Sequence, residues 1–120
     1  GQVPAGRICD AVCSTIDFVP TMAALAGASV PDDRTIDGKN ILPLLRGETD
    51  TSPHESYFYY RGNQLQAVRR GRWKLREAGG TGLYDLENDL GETRNLADRY
   101  PERVERMREV MRQFDRELRN

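Results

Sequence analysis

Few residues of this chain are of a type and spacing that chemistry could use. Cys9 and Cys13 stand four apart. With no other Cys and with His54 as the lone His, a Cys/His zinc site is excluded. The pair is expected as small, buried, reduced thiols. Asp32 and Asp33 imitate a metal-binding pair, but they follow Pro31 on a loop, with no further ligands at suitable positions. His54 reads as structural or solvent-facing. Arg69, Arg70, Arg72, Lys74 and Arg76 gather positive charge, expected as a solvated sheet face or an interface; attraction of phosphate or sulfate is the rival reading. Tyr60, Arg61 and Asn63 surround a turn, and an Arg at a hairpin tip offers a planar donor fork for sulfate or carboxylate. These three are the candidate substrate-binding residues. No catalytic residue and no metal ligand is assigned.

The elements that would position these groups fall in two segments. Residues 54–120 read as α+β. Ser56–Tyr60, Leu65–Arg70, Arg72–Arg76 and Leu83–Leu86 read as four short strands broken by turn residues. This predicts a four-stranded antiparallel sheet with hairpins at Gly62-Asn63 and Gly71. Such a sheet needs a cover. Val104, Met107, Met111, Phe114 and Leu118 recur at helical spacing after Pro101, which suits a first helical position. One long C-terminal helix, Pro101 to about Leu118, is therefore expected across one sheet face. Parity puts Trp73 and Leu75 on that face, with Trp73 near Met107, Met111 or Phe114.

Residues 1–53 read as a connector with one short helix. Five of the six prolines lie here. Arg7 to Cys13 alternates weakly and is expected as a strand. A helix fits Ile16–Ala26, with Asp17 as N-cap, Pro20 in the first turn and Gly27 at its end. It is apolar nearly all round, so burial on more than one face is expected. The rest of the chain is too small to provide that.

Bulk composition excludes some classes. Lys+Arg number 18 against 19 Asp+Glu in 120 residues, a formal charge of -1. A nucleic-acid or anionic-membrane binder would show a basic excess. No apolar run approaches the roughly 18 residues of a membrane span.

Four runs together resemble one family, the arylsulfatase-type sulfatases of the alkaline phosphatase superfamily. Ser14-Thr15-Ile16-Asp17-Phe18-Val19-Pro20-Thr21, with Leu25-Ala26-Gly27, is similar to the family's S-x-D-hydrophobic-x-P-T and L-A-G. Asp37-Gly38-Lys39-Asn40-Ile41-Leu42-Pro43-Leu44-Leu45-Arg46-Gly47 is similar to D-G-x-S-L-x-P-L-L-x-G, with Asn40 in place of Ser. Ala67-Val68-Arg69-Arg70-Gly71-Arg72-Trp73-Lys74-Leu75 is similar to A-V-R-x-G-x-[WY]-K-L. Leu83-Tyr84-Asp85-Leu86, with Asp89, Glu92, Asn95 and Leu96, resembles L-Y-D-L-x-x-D-P-x-E-x-x-N-L, with Leu90 replacing the Pro. The hairpin Tyr59-Tyr60-Arg61-Gly62-Asn63 resembles galactosamine-6-sulfatase-like members.

The resemblance implies that residues 54–120 are the C-terminal subdomain. It implies that the strand, helix and loop of 1–53 belong to the edge of a larger α/β catalytic domain of the same polypeptide. Asp17, Pro20, Trp73, Tyr84, Asp85, Glu92 and Asn95 are then structural. The family's chemistry uses a formylglycine from a Cys/Ser-x-Pro/Ala-x-Arg motif, and calcium held by acidic residues. Cys9-Asp10-Ala11-Val12-Cys13 ends in Cys where that motif has Arg. The fragment is thus expected to be inactive alone and free to self-associate, its parent acting on a sulfate ester. Two rivals remain: the same region of a phosphodiesterase or phosphonate monoester hydrolase, and a free-standing interaction module. The location stays open between periplasmic, secreted and cytoplasmic.

Overall fold

The computed structural model describes residues 1–119; Asn120, the last residue of the 54–120 segment, lies outside the described residues. The chain divides into two compact units, Gly1–Glu55 and Ser56–Asn120.

In the first unit a 3-10 turn, Thr15–Asp17, runs straight into helix α1, Phe18–Leu25, and a loop leads to the short helix α2, Leu42–Arg46. Ile41, Leu42 and Leu44 are buried, along with Asp17, Pro20 and Thr21. Two expectations need correction here. Residues 7–13 form no strand. A strand exists only through its ladder, and no partner pairs with this segment among the described residues. Cys9 and Cys13 are consequently exposed free thiols, not buried ones. Helix α1 forms, but its burial is inverted. Asp17 and Thr21 are fully buried, whereas Ile16, Phe18, Val19, Met22 and Leu25 are exposed.

In the second unit, strands β1 (Tyr57–Arg61), β2 (Gln64–Arg70), β3 (Trp73–Arg76) and β4 (Gly82–Asp85) form one antiparallel sheet in chain order, and helix α3 spans Pro101–Leu118. The register aligns Phe58 with Val68, Val68 with Leu75, and Leu75 with Leu83. One apolar row therefore crosses all four strands on a single face. Val104, Met107 and Met111 of α3 close over it, and Leu75 and Leu83 are wholly excluded from water. Pro101 opens α3 where its missing N–H costs nothing.

Trp73 packs against this cluster, as its parity requires, but only half-buried. Its ring partners are Tyr100, edge-on at 5.4 Å, and the Arg103 guanidinium at 4.5 Å. Phe114, at the other end of α3, stacks instead on Phe58, with centroids 3.7 Å apart. The helix crosses the sheet obliquely, from the β3 side at its start to β1 at its end. Alternation along a strand does not specify that direction.

Candidate functional site

In the first unit, the best-defined constellation is centred on Asp17. It occupies the N-cap position of α1, yet its carboxylate caps no α1 amide. It accepts instead from the backbone N–H of Ser14 and of Lys39, each at 2.8 Å. His54 Nε2 lies 2.8 Å from Oδ1. Burial pushes the Asp17 carboxyl up. The Lys39 and Ser14 amides and His54 more than offset this, holding it below the ordinary carboxylate range. Thr21 continues the network: its hydroxyl donates to the Asp17 carbonyl at 2.6 Å and accepts from the Ile41 amide at 3.0 Å. Gly38 lets the loop come this close. A Cβ there would stand 2.1 Å from the Ile16 carbonyl oxygen. The run around Asp17 and the run around Gly38 are therefore two halves of one buried polar joint. Pro20 is buried in the first turn of α1 beside it.

The hairpin tip in the second unit is simpler. Arg61 pairs with Gln64 across the two-residue loop Gly62-Asn63, and Gly62 takes the left-handed φ of 57° that the first loop position requires. Arg61 and Asn63 are exposed. Tyr60 leans toward Phe114, ring centroids 6.3 Å apart. Burial, then the nearby Asp115, pushes the Tyr60 hydroxyl up. Asn63 lines an open groove of about 770 Å³ with Arg112, Asp115 and Arg119 of α3. Arg61 is not part of its wall. The structure thus brings Tyr60 and Asn63 against α3 and leaves Arg61 in solvent.

The basic stretch is not a free patch. Lys74 pairs with Glu92 and sits 4.8 Å from the Tyr59 ring centre. Arg76 donates to the Tyr84 hydroxyl at 3.0 Å. Arg72 pairs with Asp85 and Glu87, and Arg69 donates to the Gly71 carbonyl at 3.0 Å. The Arg72 guanidinium beside Asp85 holds that carboxyl far below its ordinary range, against the opposing pull of burial.

The loop from β4 to α3 is bound to the sheet by the remaining candidates. Asn95 accepts from the Leu83 amide at 3.0 Å and from the Ala97 amide at 2.9 Å, and donates to the Thr81 carbonyl at 3.0 Å. Asp89 accepts from the Thr93 and Arg94 amides. Glu92 adopts a left-handed φ of 53°, unusual for a residue with a side chain, and its carboxylate is held by Lys74.

Among the described residues no group of three or more His, Cys, Asp or Glu comes together to hold a metal. Cys9 and Cys13 are exposed on a segment with no basic partner in the motif position. Among the described residues no set fits a calcium or formylglycine centre, so no chemical step is assigned to them. No helix among the described residues is long and apolar enough to cross a membrane.

The fold of this chain is one that solved sulfatases carry. The crystal structure of Ps i-CgsB superposes on 95% of this chain with a TM-score of 0.78 and 27% identity, using 26% of its own length. Mouse (Mus musculus) steryl-sulfatase is 47% identical over 68 residues, 57% of this chain and 11% of that protein. Dog (Canis lupus familiaris) N-acetylgalactosamine-6-sulfatase is 43% identical over 75 residues, 62% of this chain and 14% of that protein. The chain thus spans only a small part of the relatives it matches. The family model for the C-terminal region of N-sulphoglucosamine sulphohydrolase matches residues 1–120, and the chain belongs to that family.

Proposed function

We propose that the parent of this chain is a sulfuric ester hydrolase, and that this part supports its fold without supplying the reacting groups. The observation that carries the reading is the inverted helix α1. Its polar residues Asp17 and Thr21 are used internally, while Ile16, Phe18, Val19, Met22 and Leu25 face outward. An apolar surface of this kind is costly in water and marks an interaction face. A catalytic α/β domain of the same polypeptide is the proposed cover. That domain would supply the formylglycine nucleophile and the calcium site, chemistry for which this chain has no matching residues. Tyr60, Arg61 and Asn63 are proposed to lie at the rim of the sulfate ester pocket, and residues 1–53 to belong structurally to the catalytic domain. In isolation the uncovered helix would drive self-association.

The test uses 4-nitrophenyl sulfate with calcium. The 120-residue chain should not release nitrophenol. Turnover that survives purification and vanishes on substituting a residue of this chain would overturn the reading. A companion variant carries Phe18→Ser and Leu25→Ser. It should keep its fold while losing self-association in sedimentation velocity; unchanged association would show that α1 is not the sticky face.

A further inference from the structure

Cys9 and Cys13 are the only cysteines of the chain, and both are free and exposed. Asp10, Ala11 and Val12 separate them, and the chain bends at Ala11, midway between the two. Ala11 and Val12 are half-buried, whereas both cysteines face solvent.

The segment is held at its ends and loose between them. At one end the Arg7 guanidinium donates to the Leu44 carbonyl at 3.1 Å and pairs with Asp50. At the other the Ser52 hydroxyl donates to the Val12 carbonyl at 2.5 Å. Residues 7–13 belong to no helix and no strand. Among the described residues, the backbone of Ile8, Cys9, Asp10 and Ala11 makes no hydrogen bond. Bringing the two thiols together therefore breaks no ladder and no helical turn.

A disulfide needs Cα atoms about 4.4–6.8 Å apart. In an extended strand residues four apart stand about 13 Å from one another, out of reach. A bend at the middle residue shortens that span. A thiol tethered so closely acts on its neighbour at an effective concentration of roughly millimolar or above.

We infer that Cys9 and Cys13 are a modification site, a dithiol that closes to an intramolecular disulfide by exchange with a small disulfide such as oxidised glutathione. One cysteine thiolate attacks a glutathione sulfur, the glutathione disulfide bond breaks, and one glutathione leaves as a thiol. The second cysteine thiolate attacks the mixed disulfide and displaces the other glutathione. The two cysteines give up two electrons and two protons, and oxidised glutathione takes them up as two thiols. The bridged segment is barred from an extended strand by its shortened span, so oxidation also fixes the shape of the chain ahead of α1. This goes beyond the reading above and does not depend on the reaction of the parent.

The 120-residue chain, at low concentration, is equilibrated in glutathione buffers of varied redox ratio, quenched with acid, alkylated and weighed by mass spectrometry. The expected product is a monomer lacking two hydrogens, with neither cysteine alkylated. Cys9→Ser and Cys13→Ser should each stop at the glutathione adduct. The same titration of a synthetic peptide covering 7–14 gives the effective concentration of the unrestrained pair. The folded chain should match it within about tenfold, because the fold does not hold the thiols apart. The proposal is overturned if the wild-type chain stops at the glutathione adduct, if it forms only disulfides between copies, or if closure in the folded chain is weaker than in the peptide by more than that factor.

Discussion

His54 Nε2 lies 2.8 Å from the Asp17 carboxylate, across 37 residues of chain, and Asp17 is fully buried. The contact ties the end of the first unit to the entrance of α1, and Lys39 ties the intervening loop to the same atom group. Replacing Asp17 by Asn removes the charge that three donors share. The expected loss is on the order of 3 kcal/mol, since hydrogen bonds to a charged group contribute about 1.5–3 kcal/mol each and the amide retains some of them. Amide hydrogen exchange within 14–54 should accelerate, while exchange in the sheet should not. Uniform exchange rates in both variants would refute the joint.

The same group sets an acid limit. The folded carboxyl of Asp17 titrates below its unfolded value of about 3.9, so the unfolded chain takes up the proton first as pH falls. Its contribution is complete above about pH 4 and disappears as pH drops through the folded value. In Asp17→Asn the acid-dependent part of the first unit's protection should shrink. A pH titration followed by amide exchange decides this, and an identical acid profile in both chains would count against it.

Gly38 faces the Ile16 carbonyl so closely that no side chain fits. Gly38→Ala should cost about 1–3 kcal/mol, the usual range for forced overpacking. The clash is with backbone, which moves less readily than a flexible side chain. The readout is local exchange at Lys39 and Ile41, whose amides bond to Asp17 and Thr21. Unchanged protection at both would mean that the loop can retreat freely.

Leu75 sits in the middle of the apolar row and is fully buried. Leu75→Ala should destabilise the second unit by about 2–5 kcal/mol. The sheet and α3 share this core, so Trp73 fluorescence and helical circular dichroism should shift to lower denaturant together. Two separated transitions would show that α3 is held independently.

Trp73→Ala should cost less than the roughly 3–5 kcal/mol typical of a large buried aromatic, because the ring is only half-buried. Phe114→Ala removes the stacked partner of Phe58 and should weaken the other end of the same interface. Tyrosine emission and helical circular dichroism give the midpoints. An unchanged midpoint for Trp73→Ala would mean that its contacts with Tyr100 and Arg103 contribute nothing to the fold.

The sheet and α3 could be read from the sequence because their signals are local. Turn residues bound the short runs that hold Phe58, Val68, Leu75 and Leu83, and Val104, Met107 and Met111 recur at helical spacing. What parity could not convey was the position of Trp73 along α3, which depends on the crossing direction. The Asp17 joint was hidden for another reason. Its partners stand 22 and 37 residues away and two of its three donors are backbone amides, which no residue type announces. The apolar surface of α1 was visible in composition, but which side would be covered depends on chain beyond the helix itself. For the hairpin tip, the turn residues located Tyr60, Arg61 and Asn63. Only the structure separated Tyr60 and Asn63, which meet α3, from Arg61, which does not.

The inverted burial of α1 also bears on how long such a chain survives in a cell. Phe18, Val19, Met22 and Leu25 form a contiguous greasy stretch of the type that chaperones and proteases read as a sign of failed folding. Thr21 bonds that helix to the Asp17 carbonyl and to the Ile41 amide. A copy separated from its cover would be marked for triage although its sheet is intact. A copy whose helix is covered would escape notice. The same few side chains that would seat a neighbour are the ones that would expose an unpartnered copy to degradation.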